Sequence, residues 1–433
     1  MADVQPFRGL RYDRERVGSL DRVIAPPYDV ISPAQQQALY DLSPYNVVRL
    51  EYGREQGAER YLAAGRLLHE WRAGGVLRRE AEPAYYLYEQ TFAHAGTTFR
   101  RRSLFGRCRL EPFDSGIVRP HEYTMSGPKE DRLQLMQATM TNVSPIFSLY
   151  EPGANDPIAA LLFDEGTGDA VRGVDLAGEQ HTLVPLHDPA LLREIAVFLA
   201  ARTLYIADGH HRYETALRFR DERRAAAAHW TGEEPENFML MAVTSAANPG
   251  LLILPIHRIV RPKAVPGDLG DRLAATFTVE ALPGDAASKA TIDAALGRLA
   301  ASGTGAFVAV GLMPGRLALL TLRERAAVEA RMPAEHPAAW KALDVNVLQY
   351  GILDAALGIG LAEVTAGGMV EFTEDAEEAV AAVRSGHAPL AFLVNAVRPE
   401  QMFAVADTGD RIPQKSTYFY PKLGTGLVLN PLE

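Results

Sequence analysis

The polar run Asp208-Gly209-His210-His211-Arg212 lies between an apolar segment and a helical pattern. A glycine at such a junction lets backbone N–H groups approach an anion where the helix dipole favours negative charge. Arg212 supplies a planar fork for phosphate oxygens, and Asp208 can hold Mg²⁺ or accept a proton. We therefore predict a phosphate site formed by Gly209 and Arg212. The predicted catalytic residues are Asp208, His210 and His211, with Asp208 also predicted to be the metal ligand.

The same run also has a purely structural interpretation. Asp208 is then the N-cap of the following helix, and the two histidines satisfy local carbonyl groups. Adjacent histidines cannot share one helical face, which is where helical zinc ligands are usually found. The phosphate site is favoured because four chemically useful groups adjoin a single turn.

A second cluster places cations at the start of a predicted helix. Residues 126–128 predict a turn, and Lys129 and Arg132 follow in the first turn of the helix. Cations at a helix N-terminus oppose the helix dipole, so their presence favours an anion bound between them. The alternative is a solvated first turn in which Glu130 and Asp131 neutralise both cations.

A third cluster lies near the end of the chain. Lys415 and Lys422 flank hydroxyl side chains, and Gly424 and Gly426 follow. Together these groups can clamp a phosphate from a second side. The alternation of residues is equally typical of an edge strand, on which lysines discourage pairing with other chains.

Other residues give weaker signals. The early loop Pro26-Pro27-Tyr28-Asp29 offers a carboxylate, but its composition is that of a turn and its spacing matches no reaction. The chain has no P-loop, no dinucleotide-binding glycine pattern, no nucleophile elbow and no H-E-x-x-H motif. The scattered histidines are interpreted as background: His69, His94, His181, His187, His229, His257, His336 and His387.

The elements that position the polar run follow from hydrophobic periodicity. Segment 203–207 predicts a short strand, and segment 213–228 predicts a long helix directly after the run. Ser32 as N-cap and Pro33 at the first helical position predict a helix over 34–42. The run is therefore expected to connect a strand to a helix.

Further along the chain, segment 129–141 predicts a helix. Segments 238–244 and 251–256 predict strands that extend the same sheet. Segment 345–357 predicts one continuous helix. The element order is that of a mixed α/β protein.

Length and composition limit the class of protein. A chain of 433 residues is too long for one hydrophobic core, and 47% apolar residues with 23% charged residues are typical of a globular protein. The single Cys108 cannot form an internal disulfide, which suits a reducing compartment. We predict a cytoplasmic protein with a domain over 1–261, a smaller α/β domain over 262–433 and a basic tail that returns to the site.

Charge and hydropathy bear on partners. A formal net charge of −10 argues against broad binding to DNA or to anionic membranes, although a local basic pocket remains compatible with it. No apolar run reaches the eighteen or so residues that a membrane span requires. Small ligands are therefore the expected partners, and the oligomeric state stays open.

Four separated segments carry a family resemblance. In order along the chain, residues 24–30, 126–132, 207–213 and 421–426 closely resemble the prokaryotic family called domain of unknown function 1015. The box 208–212 is more distantly similar to the phosphate-binding box of the ParB/sulfiredoxin superfamily. That superfamily includes nucleotide switches, sulfiredoxin and free serine kinases that use ADP or ATP.

The distant resemblance implies a fold and an activity. It implies a ParB/sulfiredoxin-like mixed sheet with helices, and an Mg²⁺-dependent phosphotransferase that acts on serine or another small hydroxylated metabolite with ATP or ADP. Only residues 208–212 carry over from the resemblance. Together with the clusters described above, they predict that Arg212 and Lys129 neutralise the nucleotide phosphates, with Arg132, Lys415 and Lys422 as further phosphate contacts. His211 or an acidic neighbour would handle the substrate hydroxyl. No position matches the base of the kinases.

Two other functions stay open. One is a nucleotide-binding conformational switch with a protein partner and no metabolite chemistry. The other is a metabolite-binding protein without catalysis. In each case, replacing Arg212 by alanine is expected to weaken phosphate binding while leaving the stability of the empty protein nearly unchanged.

Overall fold

The computed structural model describes residues 1–123, 127–161 and 170–433. The described chain divides into two compact units. The first comprises Met1–Pro120, Thr124–Leu252 and Pro421–Glu433, and the second comprises His121–Tyr123 and Ile253–Tyr420. The longer segment of the second unit begins at Ile253, ahead of the domain boundary predicted after residue 261.

The first unit is built on a mixed sheet that has nine strands within the described residues. Eight of them lie in the spatial order Val118–Pro120, Leu204–Asp208, Ile146–Tyr150, Phe238–Ser245, Thr97–Arg109, Tyr85–His94, Gln180–Leu186 and Val171–Val174, and Val4–Gln5 pairs with Thr97–Arg109. The pairs of Leu204–Asp208 with Val118–Pro120 and of Phe238–Ser245 with Ile146–Tyr150 are parallel, and the others are antiparallel.

The two central strands of the sheet are buried on both faces. Every residue of Phe238–Ser245 and of Ile146–Tyr150 is buried. Such near-continuous apolar runs are typical of parallel strands that are covered on both sides. The strand Leu204–Asp208 pairs with Ile146–Tyr150 and is therefore held by a buried part of the sheet.

Helices cover this sheet. In the first unit they are Arg14–Val17, Pro33–Leu42, Val48–Glu51, Glu59–Ala73, Gly127–Thr139, Pro189–Ala200 and His210–Ala226, with 3₁₀ turns at Leu20–Arg22, Tyr28–Val30, Phe113–Ser115 and Pro235–Asn237. The predicted start of the second helix is confirmed. The Ser32 hydroxyl accepts from the Gln35 N–H, and the Gln35 side chain accepts from the Ser32 N–H, which forms a capping box.

Two short ribbons complete the first unit. Leu10–Tyr12 pairs with Leu77–Arg79, and Thr141–Asn142 pairs with Asn430–Pro431. Thr425 also forms an isolated bridge with Ala25. These backbone bonds fix the end of the chain within the first unit.

The second unit contains a six-stranded antiparallel sheet among its described residues. Its spatial order is Phe277–Ala281, Arg316–Leu322, Ala306–Met313, Leu390–Val394, His257–Val260 and Val370–Thr373. The helices of this unit are Leu269–Thr276, Lys289–Ala301, Arg325–Glu329, Ala338–Lys341, Asp344–Leu348, Leu361–Ala366, Ala376–Arg384 and Pro399–Ala406. The predicted mixed α/β class is confirmed.

Two local predictions are wrong. The strand Leu252–Leu254 does not extend the large sheet, because it pairs with Tyr418–Tyr420 in a separate ribbon. The helix predicted over 345–357 is α-helical only over Asp344–Leu348 and continues as a π-helix over Gln349–Asp354. Hydrophobic periodicity reports neither the partner of a strand nor a change of helical pitch. No described helix combines the length and the apolar character needed to cross a membrane.

Candidate functional site

The polar run forms a tight turn between a strand and a helix. The strand Leu204–Asp208 ends after a register shift between Ile206 and Asp208, and such irregularities re-aim side chains. Gly209 follows with φ of 94°, and the helix His210–Ala226 begins at once, earlier than the predicted residue 213. The turn thus places a helix N-terminus directly beside the Asp208 carboxylate.

Gly209 is required at this turn for two reasons. Its positive φ is strained for residues that carry a Cβ atom. A Cβ atom at this position would also lie only 3.0–3.1 Å from three atoms of the Arg212 guanidinium. The glycine therefore lets the arginine fold back over the turn.

The Asp208 carboxylate lies between two cationic side chains. Oδ1 accepts a hydrogen bond from Lys422 Nζ at 2.5 Å, and Oδ2 accepts one from Arg212 Nη2 at 2.8 Å. The side chains of Asp208 and Lys422 are only 18% and 14% exposed, so water screens these contacts weakly. The chain end thus brings Lys422 to a residue more than two hundred positions earlier.

These contacts set the charge state of Asp208. Burial alone would raise the pKa of the carboxyl, but Lys422 and then Arg212 outweigh that effect and hold the pKa well below its usual range. The group is therefore ionised at neutral pH. The predicted Mg²⁺ ligand role does not fit this arrangement, because both oxygens already bind cationic donors that would repel a divalent ion.

Arg212 is part of the folded core as well as of the turn. It is 7% exposed, and its guanidinium donates to the carbonyl of Pro145 as well as to Asp208. Removing a buried, bonded charge leaves its partners unsatisfied. The burial and bonding of Arg212 therefore replace the expectation that alanine at 212 spares stability with a predicted loss of stability.

His211 lies among groups of both signs. Burial, followed by the charge of Lys129, lowers its pKa, while Glu214 and Asp29 oppose that effect. The imidazole is consequently neutral at pH 7, the form that can accept a proton. His210 is the first residue of the helix, directly after Gly209, so both histidines lie near the carboxylate turn.

The second predicted cluster is paired within the protein. Lys129 forms an ion pair with Glu214 on the helix that follows the turn. Arg132 is 5% exposed, bonds to Asp131, and lies 3.3 Å from a Glu51 carboxylate oxygen. Protein carboxylates thus offset the cations that oppose the helix dipole. The predicted phosphate contacts of Lys129 and Arg132 stay predictions, and Ser126 of the predicted turn lies outside the described residues.

Sequence reasoning interpreted the early loop as a turn and did not assign Tyr28 or Asp29 to the site. The Arg132 guanidinium lies over the Tyr28 ring, 3.8 Å from its centroid. Burial raises the pKa of Tyr28, while Arg132 and Arg212 lower it, so the ring lies near both arginines. The neighbouring Asp29 is exposed and acts on His211. The sequence signal for these two residues was the pair of prolines before Tyr28, because a rigid loop fixes the direction of the side chains that follow it.

The two lysines of the third predicted cluster belong to different units of the chain. Lys422 binds Asp208, whereas Lys415 belongs to the second unit, where its carbonyl accepts from Arg258 Nη2 at 3.0 Å. The sequence predicted a phosphate contact for both lysines and did not distinguish between them. Of the two, Lys422 is the one that the first unit holds at the carboxylate turn.

Cys108 takes no part in this site. The thiol is buried on the strand Thr97–Arg109, and burial raises its pKa. A thiol of this kind stays protonated and unreactive at neutral pH. The thiol chemistry of sulfiredoxin therefore has no counterpart at Cys108.

Comparison with solved structures finds only distant similarity. A free serine kinase mutant in complex with ADP is 12% identical, with 73% of this chain and 86% of that chain covered and a TM-score of 0.34. SbnI with a C-terminal truncation, from Staphylococcus aureus, is 12% identical over 75% and 87% of the two chains, with a TM-score of 0.34. A conserved hypothetical protein from Pyrococcus furiosus is 14% identical over 74% and 93%, with a TM-score of 0.32. Similarity at this level bears on neither substrate nor activity.

Comparison with protein families is decisive. No curated protein matches the chain. The profile of the family described as protein of unknown function DUF1015 matches residues 4–346, which is most of the chain and includes the early loop and the Asp208 turn. The predicted family resemblance is therefore confirmed, and the chain belongs to the DUF1015 family.

Proposed function

We propose that this protein is a phosphotransferase that moves the terminal phosphoryl group of ATP or ADP to a small hydroxylated metabolite. The observation that carries the proposal is the pair of cations, Lys422 and Arg212, that Asp208 holds beside the Gly209 turn. The three groups sum to one positive charge, and the dipole of a long helix adds to it. Such a site favours a phosphate.

The turn binds the phosphate through groups that its own fold supplies. The helix His210–Ala226 begins directly after Gly209, and its N-terminus favours an anion because the helix dipole is positive there. Arg212 and Lys422 approach from the sides and add charge-assisted hydrogen bonds. Asp208 acts as a positioning residue, since it fixes both cations before the nucleotide arrives.

His211 is the proposed proton acceptor. The acceptor hydroxyl oxygen attacks the terminal phosphorus, the bond from that phosphorus to the bridging oxygen breaks, and ADP or AMP leaves. The hydroxyl proton passes to the neutral imidazole of His211. The exposed carboxylate of Asp29 raises the pKa of His211 and so stabilises the imidazolium that forms.

Serine is the first acceptor to test, because the box 208–212 resembles that of free serine kinases. The assay incubates the protein with MgCl₂, either ATP or ADP, and a pool of hydroxylated small metabolites that includes L-serine. Mass spectrometry then follows phosphorylated product and spent nucleotide. We expect one product formed for each nucleotide consumed, and no product from the variant His211→Gln.

A lysine variant provides the matched control. Lys289→Met removes an exposed lysine of the second unit that pairs with Glu377, and it should retain full activity. Nucleotide binding without any product in the wild-type protein would support the conformational switch. Absence of nucleotide binding would contradict both functions.

A further inference from the structure

Another cluster of ionisable side chains, the Asp175 hairpin, lies at one edge of the large sheet, and the Asp208 strand lies near the other edge. Asp175 and Glu179 lie in the turn between Val171–Val174 and Gln180–Leu186, and His181 is the second residue of the latter strand. One ligand atom from each of the three side chains lies within 4.8 Å of the other two. The hairpin therefore gathers two carboxylates and an imidazole at one point.

Backbone hydrogen bonds fix the direction of Asp175. Its Oδ1 accepts from the N–H groups of Ala177 and Glu179, both at 2.9 Å. Its Oδ2 is thereby directed to His181 Nε2, at 3.5 Å. Two ligands at ~2.1 Å from one tetrahedral ion lie about 3.4 Å apart, so the observed distance suits a shared cation.

His181 points an unsatisfied atom into the cluster. The side chain is 1% exposed, and Nε2 is buried without a hydrogen-bond partner among the described residues. The other ring nitrogen, Nδ1, lies 2.6 Å from the Tyr88 hydroxyl. Histidine ligands of metals are held in this way, with one nitrogen bonded to a neighbouring polar group and the other directed to the ion.

Two further side chains, Gln90 and Arg101, approach the cluster. Glu179 Oε2 accepts from the Gln90 amide at 2.7 Å, which holds this oxygen in place without adding charge. The Arg101 guanidinium donates to the Gln90 carbonyl oxygen and to the Pro421 backbone.

We propose that Asp175, Glu179 and His181 bind one divalent transition-metal ion, with Zn²⁺ the preferred species. Imidazole and carboxylate ligands together suit Zn²⁺, whereas Mg²⁺ prefers oxygen ligands and retains its water. Three protein ligands leave a fourth position for water. The Tyr88 hydroxyl completes the site by orienting the His181 ring.

The ion would steady the chain end that carries Lys422. Gly424 lies against the His181 ring, since a Cβ atom there would be 3.3 Å from two ring atoms. Gln90 donates to the Lys422 carbonyl at 3.0 Å as well as to Glu179. A metal at this point therefore stabilises the same segment, and its binding needs no nucleotide.

Equilibrium dialysis tests the site directly. The protein is stripped with a chelator, dialysed against buffered Zn²⁺ without nucleotide, and analysed for bound metal by mass spectrometry. We expect one Zn²⁺ per wild-type chain. Tyr88→Phe should weaken binding about 10- to 100-fold, and His181→Gln more than about 100-fold.

The controls separate ligand loss from misfolding. His187→Gln changes an exposed histidine that follows the same strand, and it should bind Zn²⁺ as the wild type does. Asp175→Asn keeps the shape of a partly exposed side chain, and it should lose binding while circular dichroism stays native. Wild-type protein without bound Zn²⁺, or equal binding by His181→Gln and His187→Gln, would overturn the proposal. Neither result would bear on the phosphotransferase, which is assayed with Mg²⁺ and nucleotide.

Discussion

Two clusters of ionisable side chains on one sheet, the Asp208 turn and the Asp175 hairpin, differ in the groups that surround their carboxylates. At the Asp208 turn one carboxylate faces two cations, and the protein itself supplies the compensation. At the Asp175 hairpin two carboxyl groups and the buried His181 ring come together within 4.8 Å. The first cluster carries excess positive charge, whereas the second gathers the kinds of atom that coordinate metals. The first therefore suits an anion, and the second suits a metal cation.

The comparison rests on the cost of burying charge. An ionised group removed from water is tolerated when a partner of opposite sign is bonded to it. Where burial and a like charge outweigh the favourable contacts, the pKa moves towards the neutral form, as it does for Glu179 beside Asp175. Asp208 shows the opposite shift because Lys422 and Arg212 are bonded to it.

The largest predicted effect on stability comes from breaking the first cluster at its arginine. Arg212→Ala should lower the free energy of unfolding by about 2–4 kcal/mol, because Asp208 and the Pro145 carbonyl lose a buried donor. Urea denaturation measures the change. Arg218→Ala on the exposed side of the same helix is the control, and its midpoint should stay near that of the wild type. Equal midpoints for Arg212→Ala and Arg218→Ala would contradict the buried role.

A smaller loss is expected at the glycine. Gly209→Ala should cost about 1–3 kcal/mol, since a methyl group meets both an unfavourable φ and the Arg212 guanidinium. Gly232→Ala measures the effect of φ alone, because Gly232 has φ of 90° but no atom within 4 Å of an added Cβ atom among the described residues. Thermal or urea unfolding of both variants gives the comparison. If the two losses match, the contact with Arg212 contributes nothing.

The pH dependence of turnover tests whether His211 is the proton acceptor. The folded pKa of His211 lies below its ordinary value of 6.5, so the neutral base is present above that pKa and turnover should fall only at lower pH. Lys129→Met removes a charge that lowers this pKa and should move the acid limb to higher pH. Asp29→Asn removes a charge that raises it and should move the limb to lower pH. Shifts in the same direction would exclude His211 as the titrating group.

The smallest effect is expected at a buried group outside both clusters. Cys108 is neutral because burial raises its pKa, so its replacement disturbs packing alone. Cys108→Ala should lower the free energy of unfolding by about 1 kcal/mol and leave turnover unchanged. Loss of turnover in a folded Cys108→Ala protein would show that thiol chemistry contributes after all.

Local patterns in the sequence were sufficient for some features of the fold and site. Gly209 between an apolar strand and a helix predicts the turn, and Ser32 with Pro33 predicts the helix start, because both depend on neighbours along the chain. Lys415 and Lys422 were both predicted as phosphate contacts, and Lys422 is bonded to Asp208. Choosing Lys422 over Lys415 requires knowing how the chain end pairs with distant strands.

Other features depend on contacts that spacing does not encode. Asp29 acts on His211 only because the fold joins segments far apart in the sequence. His181 was interpreted as background, although Asp175, Glu179 and His181 are close in sequence, because their irregular spacing converges only at a hairpin. The burial that leaves His181 Nε2 without a hydrogen-bond partner among the described residues is a property of the packed sheet.

Titration of ADP into the wild type and into Lys422→Met tests the central claim most directly. The variant keeps the length of the side chain but removes the cation that Asp208 holds at the turn. Calorimetry should show ADP binding to the wild type and to the control Lys289→Met with equal affinity, and binding about 10- to 100-fold weaker to Lys422→Met. Equal affinity of Lys422→Met and wild type, or no binding of ADP to the wild type, would contradict a phosphate site at the Asp208 turn.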